Sequence, residues 1–430
     1  MSNKFIYTLS ECPSLEWPRT EVGANGEMYS EVINSNLTIP DGFIVSSVAC
    51  TNYYENNRNI NETVKSQILE NIKCLETKLG KTFGSSENPL FLSVRTKSRF
   101  AVPGVMSAIL YLGINESIAE SVATESGNSL WIYDCYKTFI ETYSVAVHGI
   151  SPERFKEILE NFKFTNGISS DANLSTQNIK SIIDLYKSEY RNKTGHDFPN
   201  EPSVQLFNAI KAGFDSWDNP EANEYREEYA TPFATGVAIT IQPMIYTTRD
   251  NECGSGTVYT RNPETGEKTI SGKYYSGPNK KMFDISNTNV ISDLFPTVYR
   301  QMKHIVDVVE NHWHGIQKVD FAVQANTVYI IGVHNCKQTP YIAVKLACEY
   351  VEEGIMTEQQ ASYALSPKEI YELQKRDDLE EDFKIKFERV YGWAKANDEF
   401  GILARDLARL ADAEKYKDTS VEFNAEDINF

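Results

Sequence analysis

The chain has 430 residues, of which 41% are hydrophobic and 24% are charged, so its composition is typical of a folded protein rather than a disordered one. This length exceeds one ordinary hydrophobic core and predicts about two to four packed units. The 42 basic and 60 acidic residues give a formal net charge of −18, which argues against general nucleic-acid binding. No apolar run approaches the ~18 residues of a membrane helix, so no membrane association is expected.

The N-terminal sequence and the cysteines favour a cytoplasmic protein. The start of the chain has no basic segment followed by an apolar one, so no secretion signal is expected. The seven cysteines are scattered and form no CxxC pair. Their spacing indicates neither a disulfide framework nor a cysteine metal site.

Short apolar segments bounded by turns predict strands in the first 110 residues. The turn at residues 39–42 leads into a strand at Phe43–Val45. Residues 89–94 form a second short apolar run of the buried kind, and residues 60–80 between them are expected to be helical.

Helical periodicity dominates residues 112–200. Ser151, Pro152 and Glu153 have the pattern of a helix start, with an N-cap residue, a proline at the first position and an acid in the first turn. Two segments then carry apolar residues at helical spacing, the first reaching Phe162 and the second reaching Tyr186. Because neither apolar face is large enough to be stable alone, the region is predicted to be a small helical subdomain.

Strands return between residues 235 and 335. Residues 236–245 and 257–260 flank a polar turn, and residues 319–323 and 328–331 are spaced as a β-hairpin.

The chain is predicted to be helical again from residue 341. The tail at residues 374–430 carries two apolar stripes in a charged background, which predicts that it docks on the body of the protein or on a partner. The stripes consist of Phe383, Phe387 and Val390, and of Leu403, Leu407 and Leu410.

Two segments carry groups suited to phosphate. Residues 22–26 form a glycine-containing turn before a helix, where backbone N–H groups can meet a phosphate, although such turns are more often only turns. Arg95, Lys97 and Arg99 follow a buried strand and could clamp a phosphate, or could simply form a solvated strand end.

Metal-binding signals are weaker. His312 and His314 have no cysteine or carboxylate at a fixed spacing, so a metal site there is not favoured. Asp320 on the predicted hairpin could hold Mg²⁺, although a single acid on a strand is usually ordinary surface.

Residues 93–115, SVRTKSRFAVPGVMSAILYLGIN, resemble the S-V-R-S-G-A-R…P-G-M-M-D-T…L-N-L-G-L-N signature of the pyruvate phosphate dikinase family. Further similar segments follow in the family's order over roughly residues 4–372: IPDGF, FDSWDNPEANEYR, SGTVYTRNPETGEK and YIIGVHNCKQTPYIAVKLACEYVEEG. The resemblance implies an α+β, ATP-grasp-like fold with two lobes, a cleft for ATP or AMP, a helical insertion and a helical C-terminal extension.

The resemblance also implies a division of the chain. The first lobe would comprise residues 1–111 and be completed by about 202–243, with the helical insertion at 112–201. The second lobe would comprise residues 244–346, and the extension 347–430. The family's phosphohistidine domain, with its T-S-H motif, and its pyruvate-binding barrel have no counterpart in the sequence, so the chain is not expected to convert pyruvate by itself.

The family's motifs place a nucleotide site on this sequence. Arg95 and His334 would be the catalytic positions, and Asp320 would be the one surviving acid able to bind Mg²⁺. The nucleotide contacts implied by the resemblance are Gly23, Asn25, Gly26, Arg95, Arg99, Gln242, Met244, Thr260, Arg261, Lys273, Lys318 and Lys337.

Several of these positions depart from the family's pattern. Asn25 replaces the lysine of G-G-K-G, and Lys273 and Lys318 replace acids of G-E-Y-L and Q-D-I-E-F. Gly332 and His334 replace the glutamine and arginine of L-Q-T-R. Phosphoryl transfer needs Mg²⁺ held by carboxylates and fixed cations at the γ-phosphate, so these changes predict that the chemistry is lost or severely slowed.

Three functions follow as hypotheses. The first is a nucleotide-binding protein with little or no dikinase activity, acting through its ligand or a partner protein on the C-terminal helices. The second is an active phosphotransferase that uses Arg95, Arg261, Asp320 and His334 to pass phosphate to a separate protein or small molecule. The third is a purely structural subunit.

Two expectations concern individual side chains. His334 is not expected to become phosphorylated, because it aligns with an arginine of the ATP pocket. Cationic side chains are expected to neutralise phosphate in place of Mg²⁺, or else to point into solvent; these are Lys273, Lys280, Lys281 and Lys318.

Overall fold

The N-terminal part alternates short strands with helices. The computed structural model describes residues 4–98, 106–228, 236–398 and 401–417, so the predicted ligand Arg99 lies outside the described residues. The first elements are β1 (Ile6–Thr8), α1 (Pro18–Glu21), α2 (Gly23–Asn34), β2 (Phe43–Val45), α3 (Ser47–Glu55), α4 (Glu62–Leu79), β3 (Thr82–Phe83), β4 (Pro89–Leu90), β5 (Leu92–Ser98) and β6 (Ile109–Leu112).

The predicted strand at residues 89–94 is two strands. β4 pairs in parallel with β3, whereas β5 pairs with other strands after a break at Phe91. The predicted strand at Phe43–Val45 and the helix predicted at residues 60–80 are confirmed by β2 and α4.

Helices occupy the next 115 residues or so, as predicted. Ser151 caps the third of them by accepting a hydrogen bond from the Glu153 backbone N–H at 3.3 Å, which confirms the predicted helix start. The elements are α5 (Glu116–Ser126), α6 (Ser129–His148), α7 (Pro152–Thr165), α8 (Thr176–Thr194), α9 (Pro202–Asp215), α10 (Pro220–Glu228) and then β7 (Val237–Pro243).

β7 returns to the centre of the first sheet, whose order is β1-β2-β7-β5-β6 with antiparallel neighbours throughout. One continuous core joins this sheet to the helices: Leu92 and Ile239 from the sheet share it with Phe139, Ile182 and Ile210 from α6, α8 and α9. Because the core is shared, the boundary between first lobe and helical insertion remains a prediction.

The second sheet forms a separate layer. Its elements are β8 (Gly254–Tyr259), β9 (Ser271–Ser276), β10 (Lys281–Asp284), α11 (Thr288–Leu294), α12 (Pro296–Trp313), β11 (Gln317–Gln324) and β12 (Thr327–Asn335). The strand order is β10-β9-β8-β11-β12, again antiparallel, and β11 with β12 confirms the predicted hairpin.

α12 covers one face of this sheet. Met302 and Val309 on the helix share a buried cluster with Val319 and Phe321 on β11. Since successive strand residues point to opposite faces, Lys318 and Asp320 lie on the other, more open face. The edge strand β12 contacts the first lobe, because the backbone N–H of Ile330 donates to the carbonyl of Thr38 at 2.9 Å.

The C-terminal part is helical and packs on the body. Its helices are α13 (Pro340–Glu352), α14 (Glu358–Ala361), α15 (Pro367–Gln374), α16 (Glu381–Ala396) and α17 (Ile402–Lys417). The α16 stripe of Phe383, Phe387 and Val390 is buried against α13, which confirms the predicted docking of the tail for this helix. Leu403 and Leu407 pack at the edge of the same cluster. None of the described helices combines the length and the hydrophobicity that crossing a membrane requires.

Candidate functional site between the two sheets

The first wall of the site is the start of α2, which lies against β5 and β7. Gly23 has a φ of +70°, and a Cβ there would lie 3.0 Å from the Lys97 carbonyl oxygen, so only glycine fits without strain. Gly26 is buried against Val22, where a Cβ would lie 2.2 Å from a side-chain carbon. The helix has no side-chain cap at its start, so its first backbone N–H groups are available to an anion.

Asn25 stands where the family has a phosphate-facing lysine. Its side-chain amide points to β7 and lies 3.4 Å from the hydroxyl of Thr240. An amide in this place adds no positive charge to the turn.

A buried polar network joins this wall to the second sheet. The Arg95 guanidinium donates to the carbonyl oxygen of Ile331 on β12 at 3.1 Å, and also contacts the Tyr29 hydroxyl and the Gln242 amide oxygen. Tyr29 donates to Gln242 at 2.9 Å, and Gln242 donates to the Pro40 carbonyl at 3.0 Å. The Nε atom of Arg95 is buried and has no partner among the described residues.

The second wall is a row of residues directly opposite one another across the second sheet. Asp320 on β11 is paired with Gly332 on β12 and with Thr257 on β8. Thr257 is paired with Lys273 on β9, which is paired with Asp284 on β10. Because Gly332 directly follows Ile331 in the chain, this row borders the Arg95 network.

Asp320 is surrounded by donors from its own sheet. Its carboxylate accepts from the Thr257 hydroxyl at 2.8 Å, lies 3.3 Å from the Lys318 ammonium and lies 3.1 Å from Nε2 of His334. Partial burial alone would raise the pKa of Asp320, but the hydrogen bonds from His334 and Thr257 and the charge of Lys318 together lower it to about 2.

The changes at Gly332 and His334 are sterically linked. A Cβ on residue 332 would lie 2.7 Å from Nε2 of His334, the atom that contacts Asp320. A glutamine at position 332, as in the family's motif, would therefore displace the imidazole. The absence of a side chain at position 332 leaves room for His334 to lie over the strand and reach Asp320.

The other predicted lysines lie farther out. Lys273, Lys280, Lys281 and Lys337 are all exposed. Lys273 contributes to the lowered pKa of Asp284, although hydrogen bonds from Ser286 contribute more. In the turn between β9 and β10, Lys281 is paired with Ser276, three residues along the strand from Lys273.

Three predicted contacts serve the scaffold. The hydroxyl of Thr260 accepts from the backbone N–H of Gln317 at 2.9 Å, which ties β8 to β11. The Gln242 amide is fully engaged in the network above, and the Met244 backbone N–H is bonded to the Phe91 carbonyl at 2.8 Å. These positions have structural partners that the sequence pattern did not reveal.

Arg261, another predicted contact, is bonded to acidic side chains of the scaffold. It is 1% exposed and is enclosed by acids: Nε bonds to Glu310 on α12, and Nη1 lies 2.5 Å from Glu349 on α13. Burial alone would lower the pKa of the guanidinium, but the carboxylates outweigh it and raise that pKa. Its guanidinium joins α12 and α13 to the segment that follows β8.

Metal-binding groups do not converge. No group of three or more His, Cys, Asp and Glu side chains in the described part of the chain could hold a metal ion. His312 lies 4.0 Å from Glu31, and His314 lies at the end of α12, where burial, with a smaller effect of His312, lowers its pKa.

Comparison with known proteins places this architecture in one family. Residues 58–279, just over half of the chain, match the AMP/ATP-binding domain of pyruvate phosphate dikinase. The chain belongs to the pyruvate phosphate dikinase family. Its α+β architecture is accordingly that of an ATP-grasp-like nucleotide-binding domain.

Curated relatives agree with this assignment. Pyruvate, phosphate dikinase of Clostridium symbiosum is 34% identical over 83% of this chain and 41% of its own length. The enzyme of Rhizobium meliloti is 29% identical over 86% of this chain and 43% of its own length, and the chloroplastic enzyme of Mesembryanthemum crystallinum is 31% identical over 82% and 38%. The chain thus spans about 40% of the length of the curated relatives it matches.

Proposed function

We propose that this member of the pyruvate phosphate dikinase family binds ATP or AMP between its two sheets and has little or no phosphotransferase activity. It would then act through the bound nucleotide or through a partner protein. The low activity is inferred from the contacts of Asp320. Its carboxylate is already bonded to Lys318, His334 and Thr257.

The phosphate side of the proposed site is supported by unused donors. The Nε atom of Arg95 is buried without a partner, and the start of α2 has no side-chain cap. An anion between them would satisfy both, since guanidinium and helix N-termini are common phosphate ligands. Lys318 on the opposite wall adds a cation at the edge of the same space.

Mg²⁺ does not fit this site well. The family's motif supplies two acids here, and one of them is Lys318 in this chain. The other, Asp320, lies 3.3 Å from that ammonium, and a lysine cannot serve as a metal ligand. We therefore assign no step to a metal ion and propose that ammonium groups take over part of the charge neutralisation.

The alternative is an active phosphotransferase that uses Arg95, Arg261, Asp320 and His334. It is disfavoured by the position of Arg261, whose guanidinium is enclosed by Glu310 and Glu349. His334 is also not expected to carry phosphate, because its Nε2 atom contacts Asp320. Acid-labile phosphate on His334 after incubation with ATP would favour the alternative.

The C-terminal helices leave a limited surface for a protein partner. The α16 stripe is buried against the body, so a partner would contact the outward residues Tyr363, Ile385 and Ile402, which are exposed. Partner binding on these helices stays a prediction.

Calorimetric titration of ATP with and without Mg²⁺ tests the proposal. We expect binding of similar affinity in both conditions, weakening with added salt and unaccompanied by hydrolysis. Lys318→Asp should reduce Mg²⁺-free binding and make it depend on Mg²⁺, whereas Lys73→Asp on the exposed surface of α4 should not.

Two results would contradict the proposal. Strong Mg²⁺ dependence in the unmodified protein, together with turnover of ATP, would support the active phosphotransferase. Absence of binding of ATP, ADP and AMP in thermal-shift measurements would support a purely structural subunit.

A further inference from the structure

A cavity lies where the segment around β3 and β4, the helical region and the segment after β7 meet. It encloses about 280 Å³ and is lined by residues from all three: Lys81, Asn88, Pro89 and Phe91; Val122, Glu125, Ser126 and Trp131; and Tyr246 and Arg249. We call it the junction pocket. None of the residues in the proposed nucleotide site lines it, so it is a separate site.

Aromatic rings form much of its surface. The Trp131 and Tyr246 rings are edge to face with centroids 5.2 Å apart, and Phe91 packs on Tyr246 at 6.3 Å. All three side chains are less than a tenth exposed, so their arrangement is fixed by the core rather than by solvent. Rigid aromatic walls of this kind favour a flat ligand.

Two donors of the pocket have no hydrogen-bond acceptor or ion-pair partner among the described residues. The Lys81 ammonium lies 4.8 Å from the centroid of the Tyr246 ring and forms no ion pair with any described carboxylate. The indole N–H of Trp131, a side chain only 7% exposed, is buried with no hydrogen-bond acceptor among the described residues. Both groups belong to residues that line the pocket and contact the Tyr246 ring.

The charged side chains around the pocket would be balanced by one negative group on a ligand. Arg249 is paired with Asp250 at 2.9 Å, and Glu125 is exposed at the rim. Burial, and to a smaller extent the charge of Arg249, lowers the pKa of Lys81, which is the effect expected for an ammonium that lacks an anion. The uncompensated cation is therefore Lys81.

We propose that the junction pocket binds a small planar carboxylate. The carboxylate would accept hydrogen bonds from the Lys81 ammonium and the Trp131 indole, and the flat body would lie against Phe91 and Tyr246. The cavity volume is near the lower end of the range for ligand pockets, about 300 Å³, which limits the ligand to roughly one ring.

Benzoate is a suitable probe, measured by calorimetry on the full chain. We expect saturable binding with one site per chain that is not displaced by ATP. Lys81→Met should weaken binding by about tenfold or more, because a charge-assisted contact is lost, and Trp131→Phe should weaken it several-fold. Lys73→Met, an exposed lysine on α4, is the matched control and should leave the affinity unchanged.

Lys81→Met should also fold normally, since methionine keeps an apolar side chain against the Tyr246 ring, and thermal unfolding checks this. Benzamide, which has the same shape without the charge, should bind at least about tenfold more weakly than benzoate. The proposal is overturned if benzoate shows no saturable binding, or if Lys81→Met binds it as the unmodified protein does. Equal affinity for benzamide, or for inorganic phosphate, would overturn it as well.

Discussion

Asp320 retains the acid of its family motif, but its neighbours have changed. In the family's pattern a second acid and an arginine stand near it, whereas here Lys318 and His334 both contact its carboxylate. An acid that is neutralised by side chains of its own sheet contributes to the stability of that sheet. It has little capacity left to attract a metal ion.

The pH dependence of stability tests this role. The pKa of Asp320 is about 2 in the folded protein, below the value of about 3.9 for an unfolded chain. Its ionised form therefore stabilises the fold above about pH 4, and this contribution is lost as the pH falls towards about 2. After allowance for solvent screening, Asp320→Asn should lower the free energy of unfolding by about 1 kcal/mol near neutral pH and by progressively less below about pH 4.

Urea unfolding measured from neutral to acidic pH provides the readout. Asp293→Asn, at an exposed position on α11, is the control and should show no such difference. A destabilisation by Asp320→Asn that persists unchanged at acidic pH would contradict the assigned ion pairs.

The coupling of Gly332 and His334 could not be predicted from the sequence. Comparison with the family's motif shows two separate losses, a glutamine and an arginine. The structure shows that the space left by the first loss is used by the second residue, since His334 lies over Gly332. A sequence pattern shows which residues differ from the family's motif. It does not show the orientation of the His334 imidazole, which depends on residues of the neighbouring strand.

At the scale of elements, Arg261 links β8 to α12 and α13 through its carboxylate partners. The motif around it resembles a ligand loop of the family, so the sequence placed it in the site. Its acid partners Glu310 and Glu349 come from helices 49 and 88 residues away in the chain. Contacts over such separations leave no local pattern in the sequence.

Arg261→Met should destabilise the protein by about 3–5 kcal/mol, because Glu310 would remain buried without a partner. The double variant Arg261→Met with Glu310→Met should recover part of that loss, since it removes both charges together. Equilibrium urea unfolding of the two single variants and the double variant gives the coupling free energy. If the double variant were the sum of the single ones, the buried ion pair would have no energetic significance.

The docking of α16 gives a second prediction at this scale. Phe387 is 4% exposed against α13, whereas Ile385 on the same helix is 57% exposed. Phe387→Ala should loosen the helix and speed proteolysis near residues 375–380 by about tenfold or more, because a large core side chain is lost.

Ile385→Ala is the control and should leave the proteolysis rate near that of the unmodified protein. Similar rates for the two variants would show that α16 is not held by its apolar stripe. This stripe was predicted from spacing alone, since a helix brings every third or fourth residue to one side.

Strand pairing was less predictable than helix packing. Residues 89–94 form one apolar run, but the two strands within it pair with different partners on either side of Phe91. Hydrophobicity indicates that such a segment is buried. It does not indicate which strand lies beside it, because the partners of β4 and β5 are distant in the chain.

At the scale of the whole molecule, the two lobes meet through apolar packing and through polar contacts. Val32 and Leu37 of the first lobe lie in the buried cluster of the second sheet. The Arg95 guanidinium bonds to the Ile331 carbonyl, and the Tyr29 hydroxyl lies 3.3 Å from the same oxygen. These contacts come from α2 and β5 on one side and β12 on the other, so they hold the second sheet against the first.

This contact makes phosphate binding and lobe closure competitors for one guanidinium. In the proposed site, a phosphate that takes Nη1 of Arg95 as well as the free Nε atom must draw Nη1 from the Ile331 carbonyl, so only the fraction of molecules with this bond released is ready for full binding. The rate of association should then level off at high nucleotide concentration instead of rising in proportion to it. Tyr29→Phe removes one of the ties to Ile331 and should raise both that limiting rate and the affinity several-fold, as measured by stopped-flow mixing. An association rate that stays proportional to nucleotide concentration, and is unchanged by Tyr29→Phe, would contradict this prediction. It would mean that the contact between the lobes does not limit nucleotide binding.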